Sequence, residues 1–577
     1  MNILQSQTGR IGISAVVMAM IVGSWAGGVP STVVAADAPP RCGQGPSSPA
    51  FNQFMDEAVQ PPVAAPDRPN HYTLTAHLGS HSFQSDKPAV PTLGYSTANA
   101  QVDYLGPTII TKEDTPVDVT IVNNLPSAGT RLFPFDQPND DNSVVLHRHG
   151  GIQEVTSDGA PDQKIAPGGS RTNHYPNSQA AGPLWYHDHN EMTTSYNVYE
   201  GLAGFMPNTD NIEPLFQLPA GDFSKAYVLQ DKSFDLTTYA LCYSHESPEF
   251  FGDTPVVNGT VAPKQTVEPR RYTFTFINGS DSRFFHLTLQ RAKGTGGTRP
   301  QMTVVGNDSG YLYRPAEVND LLIAPGERYM VVVDFTGHSG SWVLSNDARA
   351  PFPAGDHTIA SIPQIMRFDV GKTPTGVDRS VILPVQAETN NIASVDLSLL
   401  QARLRTLQAG ELTPGMPMLG NSTSLLQFSD PNPPTETPQL GSTEAWAMRN
   451  HSPDAHPIHE HLVELRLVGR WPVTKWSEQD ATGSAVPVKV GKFQPAGTFE
   501  SGPKDTFVAP PDMITVWVGK YTIGGVSVWH CHILSHEDNA MAPMMRPLAV
   551  GTAEQTQLPM VGTLATLDAL VRPPYQP

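Results

Sequence analysis

The tripeptide His530-Cys531-His532 constrains this chain more than any other feature. In an extended strand, residues i and i+2 project to one face and i+1 to the other. Two imidazoles then face one way and a sulfur the other, so two different metal sites share a three-residue bridge. Three further clusters contain the spacing His-x-His: His147-Arg148-His149, His187-Asp188-His189 and His459-Glu460-His461, the last preceded by His456. The fourth run continues past His532 to His536 and Met541. Imidazole, thiolate and thioether together favour copper over magnesium, calcium or a purely structural zinc.

The ligands sort by chemistry. Cys531, His456, His536 and Met541 can assemble a site of two imidazoles, one thiolate and a distant thioether, the recipe for a blue, electron-transferring copper. The remaining histidines, His147, His149, His187, His189, His459, His461, His530 and His532, supply a second centre. One His-x-His pair alone is weak, since most strand histidines are simply hydrogen-bonded polar residues. Four clusters with complementary ligands are a different matter. Structural zinc closes with four ligands and leans on paired cysteines, which one cysteine among these histidines does not match. His451 reads as a surface or supporting residue.

The rest of the chain is written in short strands. Val117–Val122, Tyr272–Ile277 and Tyr329–Phe335 are rich in β-branched or aromatic residues and carry turn chemistry at one end. With 48 glycines and 55 prolines, this favours an all-β sandwich or barrel over an α/β fold. A length of 577 residues exceeds one hydrophobic core. Polar, proline-containing joints near 208–219 and 371–391 divide the chain into three domains, 37–212, 213–375 and 376–577. The first and third carry all the clusters. Ser394, Leu397, Leu400, Leu404 and Leu407 recur at helical spacing and predict a linker helix. The net charge of −19 argues against a nucleic-acid partner, which needs clustered Lys and Arg.

Residues 1–36 read as an export signal: Arg10 precedes the apolar stretch Ile11–Val22, and Val34-Ala35-Ala36 offers a cleavage site. Glycines and Pro30 interrupt any continuation, so no stable membrane span is expected in the mature chain. With Cys531 taken as a metal ligand, Cys42 and Cys242 remain as a candidate disulfide.

Together with Leu105-Gly106-Pro107-Thr108-Ile109, Leu184-Trp185-Tyr186-His187-Asp188-His189 and Val528-Trp529-His530-Cys531-His532-Ile533-Leu534, these clusters make the chain resemble the three-domain multicopper oxidases, in particular the bacterial group of spore-coat laccase, bilirubin oxidase and phenoxazinone synthase. The resemblance implies three cupredoxin-like Greek-key β-sandwiches and four copper ions. His147 and His459 would hold the type 2 copper. His149, His187 and His532 would hold one type 3 copper, and His189, His461 and His530 the other. His456, Cys531, His536 and axial Met541 would form the type 1 site. Single electrons from a small reducing substrate would enter at type 1 and reduce dioxygen to water at the cluster. Asp158 and Glu537 match the family's acidic residues that serve proton transfer.

Arg148 and Glu460 depart from the family, which usually has apolar or aromatic spacers there. Two readings stand equal: an electrostatic pair, or two independent solvated charges. For activity, oxidation of phenols, aminophenols or tetrapyrroles leads. Oxidation of copper(I) or another metal ion is the alternative, with Met416-Pro417-Met418 as the one tight methionine pair outside the C-terminal group and the export signal. A scaffold that has lost copper, or a copper nitrite reductase, fits the complete ligand set poorly.

Overall fold

The computed structural model describes residues 48–551, apart from 128–140, 212–216, 245–247, 294–297, 372, 383–403, 414, 427, 429–433 and 540–542. The chain is almost all sheet, as expected, with three successive pairs of sheets. In the first, the four-stranded sheet has His71–His81 between Val90–Ser96 and Val117–Asn123, with Ser170–Tyr175 outside. It faces a three-stranded sheet of Leu146–His149, Trp185–Asp188 and Ala203–Phe205. Val117–Asn123 alternates buried and half-buried positions, the period expected of a strand with one face on a core. Leu74, Val119, Ile121 and Tyr175 meet Leu146 and Tyr186 in that core.

The middle pair joins an eight-stranded to a five-stranded sheet over Tyr227, Phe274, Val331, Leu287, Leu344 and Phe368. The last joins a seven-stranded to a four-stranded sheet over Trp446, Leu465, Trp517 and Trp529. One device recurs in all three: a strand that pairs in parallel with a later one, His71–His81 with Val117–Asn123, Ser224–Phe234 with Arg271–Asn278, and Leu404–Thr413 with Thr443–Asn450. Parallel neighbours cannot be joined by a hairpin, so each unit contains a crossing connection.

That third strand corrects the last turn of the expected linker helix. Leu404 and Leu407 lie in the strand Leu404–Thr413, whose edges bond Met416–Gly420 and Thr443–Asn450. Leu407 packs into the core beside Trp446, and Arg405 reaches across to Glu444 at 2.7 Å. Pairing on both edges outweighs a helical spacing carried by four leucines. Ser394, Leu397 and Leu400 lie outside the described residues, as does the whole of 1–36. Two short helices, Thr194–Glu200 and Leu534–Glu537, are the α-helices among the described residues. None there is long and apolar enough to cross a membrane.

Candidate metal centre

Strand register explains how four clusters become two sites. Leu146–His149 runs antiparallel to Trp185–Asp188 with His147 opposite His187, so His147, His149 and His187 emerge on one face. His456–Glu460 runs antiparallel to Gly525–Cys531 with His459 opposite His530 and Ile458 opposite Cys531. His459 and His530 therefore leave one face, while His456, three residues before His459 and so of opposite parity, leaves the other with Cys531. The spacing His-x-x-His-x-His is what splits one strand between two sites.

On the first face eight buried imidazoles converge, four from the first sheet pair and four from the last. His147 stacks on His461 with centroids 4.0 Å apart and His149 on His459 at 3.8 Å. His532 lies 4.8 Å from His149 and 5.3 Å from His187, and His189 lies 5.0 Å from His461 and 5.1 Å from His530. Most rings are gripped by one nitrogen, leaving the other to face the cluster. The Nδ1 atoms of His147, His187, His459 and His530 lie 2.7, 2.8, 2.9 and 3.0 Å from the backbone carbonyls of Asp158, Asp188, Asp505 and Cys531. His461 Nδ1 meets Asp158 Oδ2 at 2.8 Å and His189 Nδ1 meets Glu537 Oε1 at 2.9 Å. The Nε2 atoms of His147, His187, His459 and His532 are buried with no hydrogen-bond partner, and those of His189, His461 and His530 sit 3.1–3.4 Å from one another.

Buried nitrogens without partners, aimed at a common point, are costly unless a cation satisfies them. Burial, with the neighbouring rings, holds His147, His187, His459 and His461 well below the usual imidazole range, His530 at about 4 and His532 at about 3. Neutral rings with free lone pairs are the form that ligates a metal. His189 is the exception: burial opposes its charge, but Glu537 holds it above the usual value.

On the opposite face Cys531 Sγ lies 3.5 Å from His456 Nδ1 and 3.6 Å from His536 Nδ1. Burial pushes the thiol far above its usual range, so a thiolate here requires a cation beside it. Ser452 Oγ fixes the far nitrogen of His456 at 2.8 Å. The far nitrogen of His536 faces Glu249 Oε1, 3.5 Å away and contributed by the middle third of the chain. Met541 lies outside the described residues. The hydrogen bond from the His530 ring to the Cys531 carbonyl, at 3.0 Å, adds a second link between the two faces.

Asp158 touches the cluster twice, through its carbonyl to His147 and its carboxylate to His461, while Gln153 Nε2 donates to Oδ1 at 2.9 Å. Burial raises its pKa to about 7. Glu537 bridges His189 and His530, the latter at 3.3 Å, and accepts from Thr194 Oγ1 at 3.1 Å. Burial alone would raise this carboxyl, but His189 and His530 hold it well below the carboxylate range. Sequence reasoning missed Asp505 and Glu249, single carboxylates with no spacing pattern around them. Asp505 Oδ1 lies 2.9 Å from His149 Nε2.

Neither reading of Arg148 and Glu460 holds. Both are buried and apart. Arg148 donates to Asn177 Oδ1 at 2.5 Å and Thr111 Oγ1 at 2.8 Å and lies 5.1 Å over the Tyr175 ring. Glu460 accepts from Trp517 Nε1 at 2.7 Å and meets the Tyr521 hydroxyl at 3.2 Å. As spacers in histidine-bearing strands they point away from the cluster rings into the two cores, where neutral partners replace water. Cys242 is disulfide-bonded; Cys42 lies outside the described residues.

Profiles of the multicopper oxidase family match residues 137–210, 252–362 and 400–548. A laccase of Bacillus subtilis is 32% identical over 87% of this chain and 99% of its own length. The chain belongs to the multicopper oxidase family. The multicopper oxidase LPR1 of Arabidopsis thaliana is 31% identical, covering 81% of this chain and 86% of its own. The solved multicopper oxidase McoA of Aquifex aeolicus superposes with a TM-score of 0.69 at 24% identity, over 87% of this chain and all of that one, which shows the same cupredoxin-like fold. The protein is a copper-dependent, laccase-like oxidoreductase that uses dioxygen.

Proposed function

We propose that the protein is an exported oxidase holding four copper ions, which takes single electrons from phenolic, aminophenolic or tetrapyrrole substrates and reduces dioxygen to two waters. Cys531, His456, His536 and Met541 would hold the type 1 copper. His147 and His459 would hold type 2. His149, His187 and His532, and His189, His461 and His530, would hold the type 3 pair. Bound by these residues, copper would supply reversible one-electron transfer at the thiolate and the redox capacity for oxygen reduction at the histidine cluster. The protein's part is to orient the rings, exclude water and deliver protons. Glu537, held ionised between His189 and His530, and Asp158, near neutrality, form a pair with separated proton affinities at the place where oxygen chemistry consumes protons. The His536 edge, away from Cys531, is the entry for electrons.

The observation that carries this reading is the parity of His530-Cys531-His532, which gives each face its own ligand set within one covalent bridge. The test is oxygen uptake by copper-loaded protein with a phenolic dye and with bilirubin. Four dye molecules oxidised per oxygen consumed supports it; peroxide accumulation or absent uptake overturns it.

Glu249 favours a second reading, oxidation of a metal ion. Its carboxylate abuts His536, and Asp454, Asp281 and Glu411 are near enough to raise its pKa further after burial itself. A group of carboxyls beside His536 suits a cation more than a bulky apolar ring. Met418, by contrast, is buried in a small apolar cluster with Leu425, so the methionine pair does not support this reading. Turnover of copper(I) that exceeds turnover of phenols, and falls on Glu249→Ala, would select it.

A further inference from the structure

Seven of the eight cluster rings have a contact that decides which nitrogen faces inward. Six present Nε2, and His149 alone is inverted: its Nε2 is engaged and its Nδ1 is the buried atom without a partner. An inverted ring needs an acceptor on the far side. We infer that Asp505 is the positioning residue that turns His149 Nδ1 toward copper, and that Arg328, from the middle sheet pair, locks Asp505 in that pose. The inference rests on the assignment of His149 as a copper ligand.

Both carboxylate oxygens of Asp505 are pinned by one guanidinium, Nη1 to Oδ1 and Nη2 to Oδ2, each at 2.6 Å. Ser309 Oγ adds a bond to Oδ2 at 3.0 Å and Thr506 Oγ1 one to Oδ1 at 2.9 Å. A carboxylate held in this fork is only an acceptor, so the His149 nitrogen 2.9 Å away must carry the proton, and Nδ1 keeps the lone pair. The backbone carbonyl of the same residue takes His459 Nδ1 at 2.9 Å. One residue thus sets two stacked rings, from opposite ends of the chain.

Arg328 is itself fully committed. Its remaining donors reach Pro183 O at 3.1 Å, Gly326 O at 3.2 Å and Asp308 O at 2.7 Å, so all five N–H groups are used. Lys504 offsets the surrounding acids, 2.9 Å from Asp308 and 3.0 Å from Glu327. Packing leaves no slack. A Cβ on Gly150, which has φ +82°, would fall 2.3 Å from Asp505 Oδ2, and one on Gly326, also φ +82°, would fall 2.7 Å from the His532 ring. The middle sheet pair supplies no ligand, yet it braces two cluster rings, His149 through Arg328 and Asp505, and His532 by direct contact.

The test compares copper-loaded wild type, Asp505→Asn and Arg328→Lys. In Asp505→Asn one oxygen becomes an NH₂ that meets an Arg328 donor in either orientation, so the fork and the acceptor for His149 Nε2 cannot both be kept. The expected result is 10–100-fold weaker retention of cluster copper against a chelator, with loss of the EPR-silent copper pair. The thiolate-to-copper band of the Cys531 site stays, which shows that the variant is folded. Arg328→Lys, which cannot fork, should shift the same signals in the same direction and covers the case in which Asp505→Asn does not fold. Wild-type copper content and EPR in both variants overturn the inference. Wild type that lacks a copper cluster defeats instead the ligand assignment on which it rests.

Discussion

Glu460 makes a stability prediction of definite sign. Burial raises its pKa to about 8 against an ordinary 4.5, a rise that Trp517 and Tyr521 only partly offset. Between those values the folded protein holds a proton there and the unfolded chain does not. Stability from this group is therefore complete below about pH 4.5 and is lost as pH rises toward 8. The gap is worth ~5 kcal/mol at about 1.36 kcal/mol per pH unit. Glutamine mimics the protonated acid: its oxygen can accept from Trp517 and its amide can face Tyr521. Glu460→Gln should match wild type near pH 4 and gain on it steadily from about pH 5 up to pH 8. At roughly 2–4 °C per kcal/mol for a domain of this size, the ceiling is a difference of ~10–20 °C. The assay is thermal unfolding of copper-free protein at several pH values, which keeps metal–proton linkage out of the comparison. A melting difference that stays constant from pH 5 to 8 would refute the reasoning.

Glu537→Gln removes the anion between His189 and His530; with the blue band and copper content kept, reoxidation by dioxygen should slow by ~10²–10⁴-fold, read by stopped-flow, and an unchanged rate counts against the proton role. Arg148→Lys replaces a fork that serves both Asn177 and Thr111 with a single point charge, and should cost about 1–3 kcal/mol in denaturant unfolding; a neutral outcome would mean that the buried guanidinium contributes only volume.

Much of the site was legible because strand parity is a covalent property. Once His530, Cys531 and His532 are extended, their faces follow, and the spacing from His456 to His459 divides that strand in the same way. The parts that were not legible depend on contacts between distant segments. Arg148 and Glu460 are charges in a local sequence that says nothing of depth; Asn177, Thr111, Trp517 and Tyr521, far along the chain, are what make their burial tolerable. Asp505 and Arg328 carry no spacing signature, being separated by 177 positions. Leu404 and Leu407 fit helical spacing, but the strands beside them decide their conformation, and no periodicity within the segment reports those neighbours.

Cys531→Ser tests the central claim most directly, by metal analysis and EPR on copper-loaded protein. If one strand presents its sulfur to one site and its histidines to another, the variant should lose the thiolate-to-copper band and the type 1 signal while retaining the copper of the histidine cluster. Survival of the band, or loss of all copper together in a folded variant, would contradict it.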